Sequence, residues 1–172
     1  MSTERHIHAI LQEASFSMVG VTVPQDIVDV VEAWAKRIHP DHIQKLETDL
    51  HVTIKFGIHT KNPDDVRSLR LQGPLIGAFW KTSLFDNPDS DVLFIPVVCQ
   101  DLHRLNIQIS NALEVTDTHP TYKPHLTIAY LHKGFGHRYC NDKFLWCRHI
   151  FWREIFFSTP EKKKTTIPLV GG

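Results

Sequence analysis

Two hexapeptides in this chain of 172 residues carry side chains suited to moving protons: His51-Val52-Thr53-Ile54-Lys55-Phe56 and His125-Leu126-Thr127-Ile128-Ala129-Tyr130. An imidazole has a reference pKa near 6.5, so two of them can supply one reaction with a neutral base and a protonated acid. A threonine hydroxyl two residues further on adds a hydrogen-bond donor for negative charge that develops on a reacting group. The spacing suits a β-strand, whose side chains alternate between faces. It predicts His51, Thr53 and Lys55 on one face, with Val52, Ile54 and Phe56 on the other. The second copy divides likewise, with His125, Thr127 and Ala129 against Leu126, Ile128 and Tyr130. Each strand would then bury an apolar face and offer an imidazole beside a hydroxyl on the other.

The bare pattern His-x-Thr carries little weight. With 12 histidines in the chain, chance alone supplies roughly one occurrence. A third copy, His119-Pro120-Thr121, reads as such an accident, because a central proline disfavours an interior strand. Requiring an apolar middle residue and a following isoleucine lowers the chance expectation to roughly 0.03 occurrences. Two matched copies are therefore a strong signal.

Other chemistries find less support. His137, Cys140, Cys147 and His149 have zinc-capable types, but their spacing matches no common structural site, so no metal and no cofactor are expected. No P-loop, dinucleotide-binding glycine pattern or Gly-x-Ser-x-Gly appears. Lys+Arg and Asp+Glu both number 19, giving a formal net charge of zero. That argues against broad binding of duplex nucleic acid, which needs many cation–phosphate contacts, and leaves room for a small anion in a pocket.

The elements that must position the two motifs can be read along the chain. A strand is expected over 15–23. A helix follows from Pro24, with Ile27, Val30, Val31, Trp34 and Ile38 facing inward, and ends at His39-Pro40-Asp41. The first motif lies on a strand over 50–58. Asn62-Pro63 reads as an N-cap and first helical position, with Val66 and Leu69 inward and a break at Gly73-Pro74. Strands over 75–86 and 91–98 flank the turn Asp86-Asn87-Pro88-Asp89, and Asp101 is expected to cap a helix carrying Leu102, Leu105, Ile109 and Leu113. The second motif lies on a strand over 125–131 after a loop, and a break follows at Gly134-Phe135-Gly136. A C-terminal hairpin is expected from strands over 149–157 and 165–170. Residues 1–14 read as a flexible N-terminus and the whole of 1–172 as one domain. Strands and helices intermix without strict alternation, which favours antiparallel α+β over a doubly wound sheet.

Hydrophobic residues make up 42% of the chain, enough for a buried core. No stretch approaches a transmembrane helix and the start, Met1 to His6, lacks a signal-peptide apolar region. The three cysteines, Cys99, Cys140 and Cys147, are expected as free thiols in a reduced, cytoplasmic setting, with no membrane partner.

Paired His-apolar-Thr strands 74 positions apart (125 − 51) resemble the 2H phosphoesterase superfamily. The resemblance spans Ser15 to Val170. It implies a two-lobed α+β fold whose two antiparallel sheets face each other across a cleft with helices outside. It also implies phosphodiester cleavage by His51 and His125, with Thr53 and Thr127 donating to the non-bridging oxygens. A finer likeness is to the viral anti-CBASS phosphodiesterases, which destroy cyclic oligonucleotide messengers of a bacterial antiphage system. Leu50 to Thr60, Tyr122 to Tyr130 and Glu154 to Ser158 carry it. It implies a cyclic oligonucleotide substrate and, for a viral protein, the host cytoplasm as its place of action. Tyr122 and Lys123 are placed to reach the cleft mouth, and Glu154 to accept hydrogen bonds from a purine's edge. Trp80, Trp146 and Trp152 read as core. Two other readings stand beside this one: a 2H enzyme acting on RNA 2′,3′-cyclic phosphate or 2′,5′-linked ends, and a non-catalytic sponge for cyclic nucleotides. Which histidine is acid, whether water or a ribose 2′-hydroxyl attacks, and the oligomeric state are left open by the sequence.

Overall fold

A computed structural model of the chain describes residues 15–117, 119 and 121–171. The expectation for residues 1–14 lies outside these. Among the described residues, ten strands intermix with three α-helices. They are β1 (Ser17–Thr22), α1 (Gln25–Ala35), β2 (Ile43–Leu46), β3 (His51–Ile58), α2 (Pro63–Arg67), β4 (Leu75–Phe79), β5 (Ser83–Asp86), β6 (Ser90–Val98), α3 (Gln100–Ala112), β7 (His125–His132), β8 (His149–Trp152), β9 (Glu154–Ser158) and β10 (Lys164–Pro168). Short 3-10 turns stand at Pro40–His42 and Gly136–Tyr139.

The fold is mixed α+β, built on a curled antiparallel sheet. Its strand order is β10-β9-β1-β3-β7-β6-β4-β8, with β2 also paired to β7 and β5 to β6. The two sheets expected from the sequence are two halves of this one path. They join where β3 meets β7, through the residue pair Val52–Leu126. The motif strands therefore sit side by side at the seam.

One face of the sheet is packed. Val52, Ile54, Leu126 and Ile128 belong to the same buried cluster as Ile27, Val31 and Trp34 of α1 and Leu102, Leu105 and Ile109 of α3. Burial of these stripes, about 1.5–3 kcal/mol per large side chain, holds both helices against the sheet. Asn106 of α3 adds a directed contact, donating from Nδ2 to the Ile54 carbonyl at 2.6 Å. No helix among the described residues is long and apolar enough to cross a membrane.

Several local expectations need correction. Val30 is 36% exposed and lies outside the α1 stripe. The N-cap of α3 is Cys99, without a side-chain cap bond, while Asp101 sits in the first turn and pairs with Arg104 at 3.2 Å. By contrast Asn62 does cap α2, accepting from the Asp64 amide at 3.1 Å. The strand expected over 75–86 is two strands, β4 and β5, which pair with different parts of β6. The segment between them is clasped by Thr82, whose hydroxyl donates to the Tyr139 carbonyl and accepts from the Asp142 amide. The strand expected over 149–157 is broken at Arg153: β8 pairs with β4, β9 with β1 and β10. Both halves bury apolar side chains, so the run from Ile150 to Phe157 hides the change of partner.

Candidate active site

The two motif strands share a deviation from regular alternation. Along β1–β3, Gly20 pairs with Thr53 and Val19 with Lys55, so Ile54 is the extra residue of a bulge. Along β6–β7, Phe94 pairs with Thr127 and Leu93 with Ala129, so Ile128 is extra in the same motif position. The burial patterns over the first seven residues of both strands are identical. The bulge places Ile54 and Lys55 together in the interior, with Lys55 only 5% exposed and bound to Asp117 at 2.5 Å. It also turns Phe56 and Tyr130 to the histidine face, since their partners Met18 and Val92 alternate with Gly20 and Phe94. The face assignment made from the sequence therefore holds for the first four residues of each motif and reverses after them.

The Val52–Leu126 pair sets the site's geometry. One step along each antiparallel strand, His51 stands across from Thr127 and Thr53 across from His125, all four on the face opposite the core. All four are partly buried. Each imidazole is held in the same way. His51 Nδ1 lies 2.6 Å from the carbonyl of Asp49, and His125 Nδ1 lies 2.6 Å from that of Lys123. A carbonyl only accepts, so both Nδ1 atoms carry hydrogen, which leaves Nε2 as the unprotonated nitrogen of each neutral ring. Burial pushes the His125 pKa below the usual histidine value; the Lys123 carbonyl opposes this, and nearby His119 and His51 push it further down.

Aromatic rings wall the two histidines. Phe156 meets His51 edge-on at 5.7 Å, and its ring occupies the space above Gly20, where an added Cβ would come within 2.7 Å of it. On the other side, Phe85 and Phe94 stack at 3.9 Å and both meet His125 edge-on, at 4.9 and 5.3 Å. Sequence reasoning missed these three phenylalanines. Only their pairing partners reveal them: Phe94 opposes Thr127, and Phe156 opposes Gly20, the partner of Thr53.

Tyr122 donates its hydroxyl to the Thr53 carbonyl at 2.8 Å, tying the loop before the second motif to the strand of the first. Burial holds its phenol far above the usual tyrosine pKa, hence protonated. Lys123 is exposed beside it and supplies the carbonyl that orients His125. Glu154 is exposed at the start of β9, on the same face of that strand as Phe156. Trp152 is core, but Trp80 and Trp146 are 44% and 43% exposed and touch edge-on at 5.8 Å. Trp80 lies on the histidine face because Ala78 opposes Val98, which alternates with Pro96 opposite His125. His119 and Thr121 lie in the loop before β7 and outside any strand. Among the described residues no three His, Cys, Asp or Glu side chains gather to hold a metal ion. The Cys140 thiol instead donates to the Gly136 carbonyl.

No protein-family profile matches the chain, and no curated protein matches it by sequence. Solved structures do. TT0787 of Thermus thermophilus aligns with a TM-score of 0.67 at 16% identity, over 91% of this chain and 98% of its own. LigT of E. coli complexed with 3′-AMP aligns at 0.62 and 16% identity, over 90% and 95%. Usb1 of Kluyveromyces marxianus with uridine monophosphate aligns at 0.58 and 11% identity, over 91% and 100%. These likenesses establish the fold, which the chain shares with these three proteins.

Proposed function

We propose that the chain is a metal-independent phosphodiesterase in which His51 and His125 act as acid and base on opposite sides of one phosphate. The observation that carries this reading is the crosswise placement of two His-Thr pairs on one face, each imidazole fixed through Nδ1 by the carbonyl two residues before it. His125 suits the base: its lowered pKa keeps Nε2 unprotonated at neutral pH and ready to take the nucleophile's proton. His51 then delivers a proton to the leaving oxygen, and the Thr53 and Thr127 hydroxyls donate to the non-bridging oxygens.

The substrate we propose is a cyclic di- or trinucleotide opened at a 3′,5′ bond, in the manner of the viral anti-CBASS enzymes that blunt bacterial antiphage immunity. Incubation with a 3′,3′-cyclic dinucleotide, read by chromatography, tests this directly. Linear product supports the reading. Ligand that is bound but unchanged would make the protein a sponge, and absence of any interaction would exclude both. A second reading, action on RNA ends, gains from neighbours crystallised with 3′-AMP and uridine monophosphate. An oligoribonucleotide ending in a 2′,3′-cyclic phosphate tests it in the same assay.

Two expected results follow from this chemistry. The acid limb of the kcat/KM profile should have its inflection below pH 6.5, because the base is lost only when His125 takes a proton and its affinity for that proton is reduced. An inflection at or above 6.5 would remove His125 from the base's role. A chelator should leave the rate unchanged, since side chains supply every proton and hydrogen bond in the scheme. Loss of activity restored by zinc or magnesium would return attention to His137, Cys140, Cys147 and His149.

A further inference from the structure

The two half-sites match in their motifs but differ in what stands beside them. Next to His51, the space above Gly20 is filled by Phe156, 3% exposed, with the Lys164 ammonium 4.6 Å from the centre of its ring. Lys164 is itself held by Asp49 through both carboxylate oxygens, at 2.6 and 2.7 Å, so that side is closed by an anchored cation and a packed ring. Next to His125 the structure opens instead into a cavity of about 400 Å³. Phe85 and Phe94 form one wall, His103 and Tyr122 help to form another, and Ser83 and Lys123 contribute polar groups. His103 and Tyr122 meet edge-on at 5.1 Å.

Resting on the phosphodiesterase reading above, we propose that this cavity seats one nucleobase against Phe85, making the recognised base that of the nucleoside on His125's side of the phosphate. Four features support it. The volume lies near the lower end of the 300–1,000 Å³ typical of small-molecule sites, a size for one nucleoside rather than two. Four of its ten lining residues, Phe85, Phe94, His103 and Tyr122, carry aromatic rings, and such rings bind bases by stacking whatever their edge pattern. Phe85 is only partly buried and its stack with Phe94 leaves it a second face. Finally, Ser83 opposes Phe94, which opposes Thr127, so the cavity shares a face with the threonine proposed to hold the phosphate.

The test is calorimetric binding of inorganic phosphate, ribose 3-phosphate and adenosine 3′-monophosphate to the full chain. The wild type should bind adenosine 3′-monophosphate roughly tenfold or more tightly than ribose 3-phosphate, the gain that stacking of one base supplies. Phe85→Ala removes the platform, and Ser83→Phe fills the cavity from the same face of β5, two residues away, without removing a core side chain. Each should collapse the ratio of the two affinities to within about threefold, measured inside each variant so that any general weakening cancels. Equal affinity in the wild type, or a ratio that survives in both variants, overturns the base site. Binding of none of the three ligands would instead overturn the phosphodiesterase reading on which it rests.

Discussion

Replacing either motif histidine with alanine is expected to lower turnover of a 3′,3′-cyclic dinucleotide by about 10²- to 10⁴-fold, the range ascribed to a positioned acid or base. The fold should survive. His51 keeps 21% of its side chain exposed and both rings lie on the face opposite the core, so neither substitution opens a cavity in the buried cluster. His125→Ala should cost the more stability of the two, because its ring packs against Phe85 and Phe94. The double variant should be little slower than the slower single one, since an acid and a base that work on the same phosphate act as a unit. Steady-state rates beside thermal denaturation of the three variants decide the matter. A single variant that turns over within about tenfold of wild type while folded would refute its residue's assignment.

Thr53→Val and Thr127→Val should each lower the rate of the chemical step by about 10- to 1,000-fold with little change in binding. Valine keeps the branched shape, deletes the hydroxyl and suits a strand at least as well as threonine. Stability should therefore hold or rise slightly. The bond from the Tyr122 hydroxyl is made to the Thr53 carbonyl, so it survives the substitution and the strand stays tethered. Single-turnover cleavage alongside equilibrium binding separates the two effects. Unimpaired cleavage in both variants would reduce the hydroxyls to ordinary strand side chains and sink the paired-motif mechanism. A 2′-deoxy ligand in the same assay distinguishes attack by a ribose hydroxyl, which would be abolished, from attack by water, which would persist.

The amino-acid sequence by itself determined what depends on local backbone geometry. The repeated His-apolar-Thr-Ile segments, the α+β mixture, the Asn62 cap and the apolar stripes of α1 and α3 were legible because period 2 and period 3.6 are written in neighbouring residues. The same two segments, through their resemblance to 2H phosphoesterases, also carried the expectation of antiparallel sheets with helices outside. Tertiary structure alone decided which strands meet. The Val52–Leu126 contact that crosses the two motifs joins residues 74 positions apart, and no local period encodes it. The bulges at Ile54 and Ile128 reversed the faces of Lys55, Phe56, Ala129 and Tyr130, because an extra residue on one strand is defined only against its partner. The break at Arg153 was hidden because β8 and β9 bury apolar side chains in different parts of the sheet. Phe85, Phe94 and Phe156 read in sequence as ordinary strand phenylalanines. Pairing across the sheet places them against the histidines, so the walls of the site are properties of strand register rather than of any one segment.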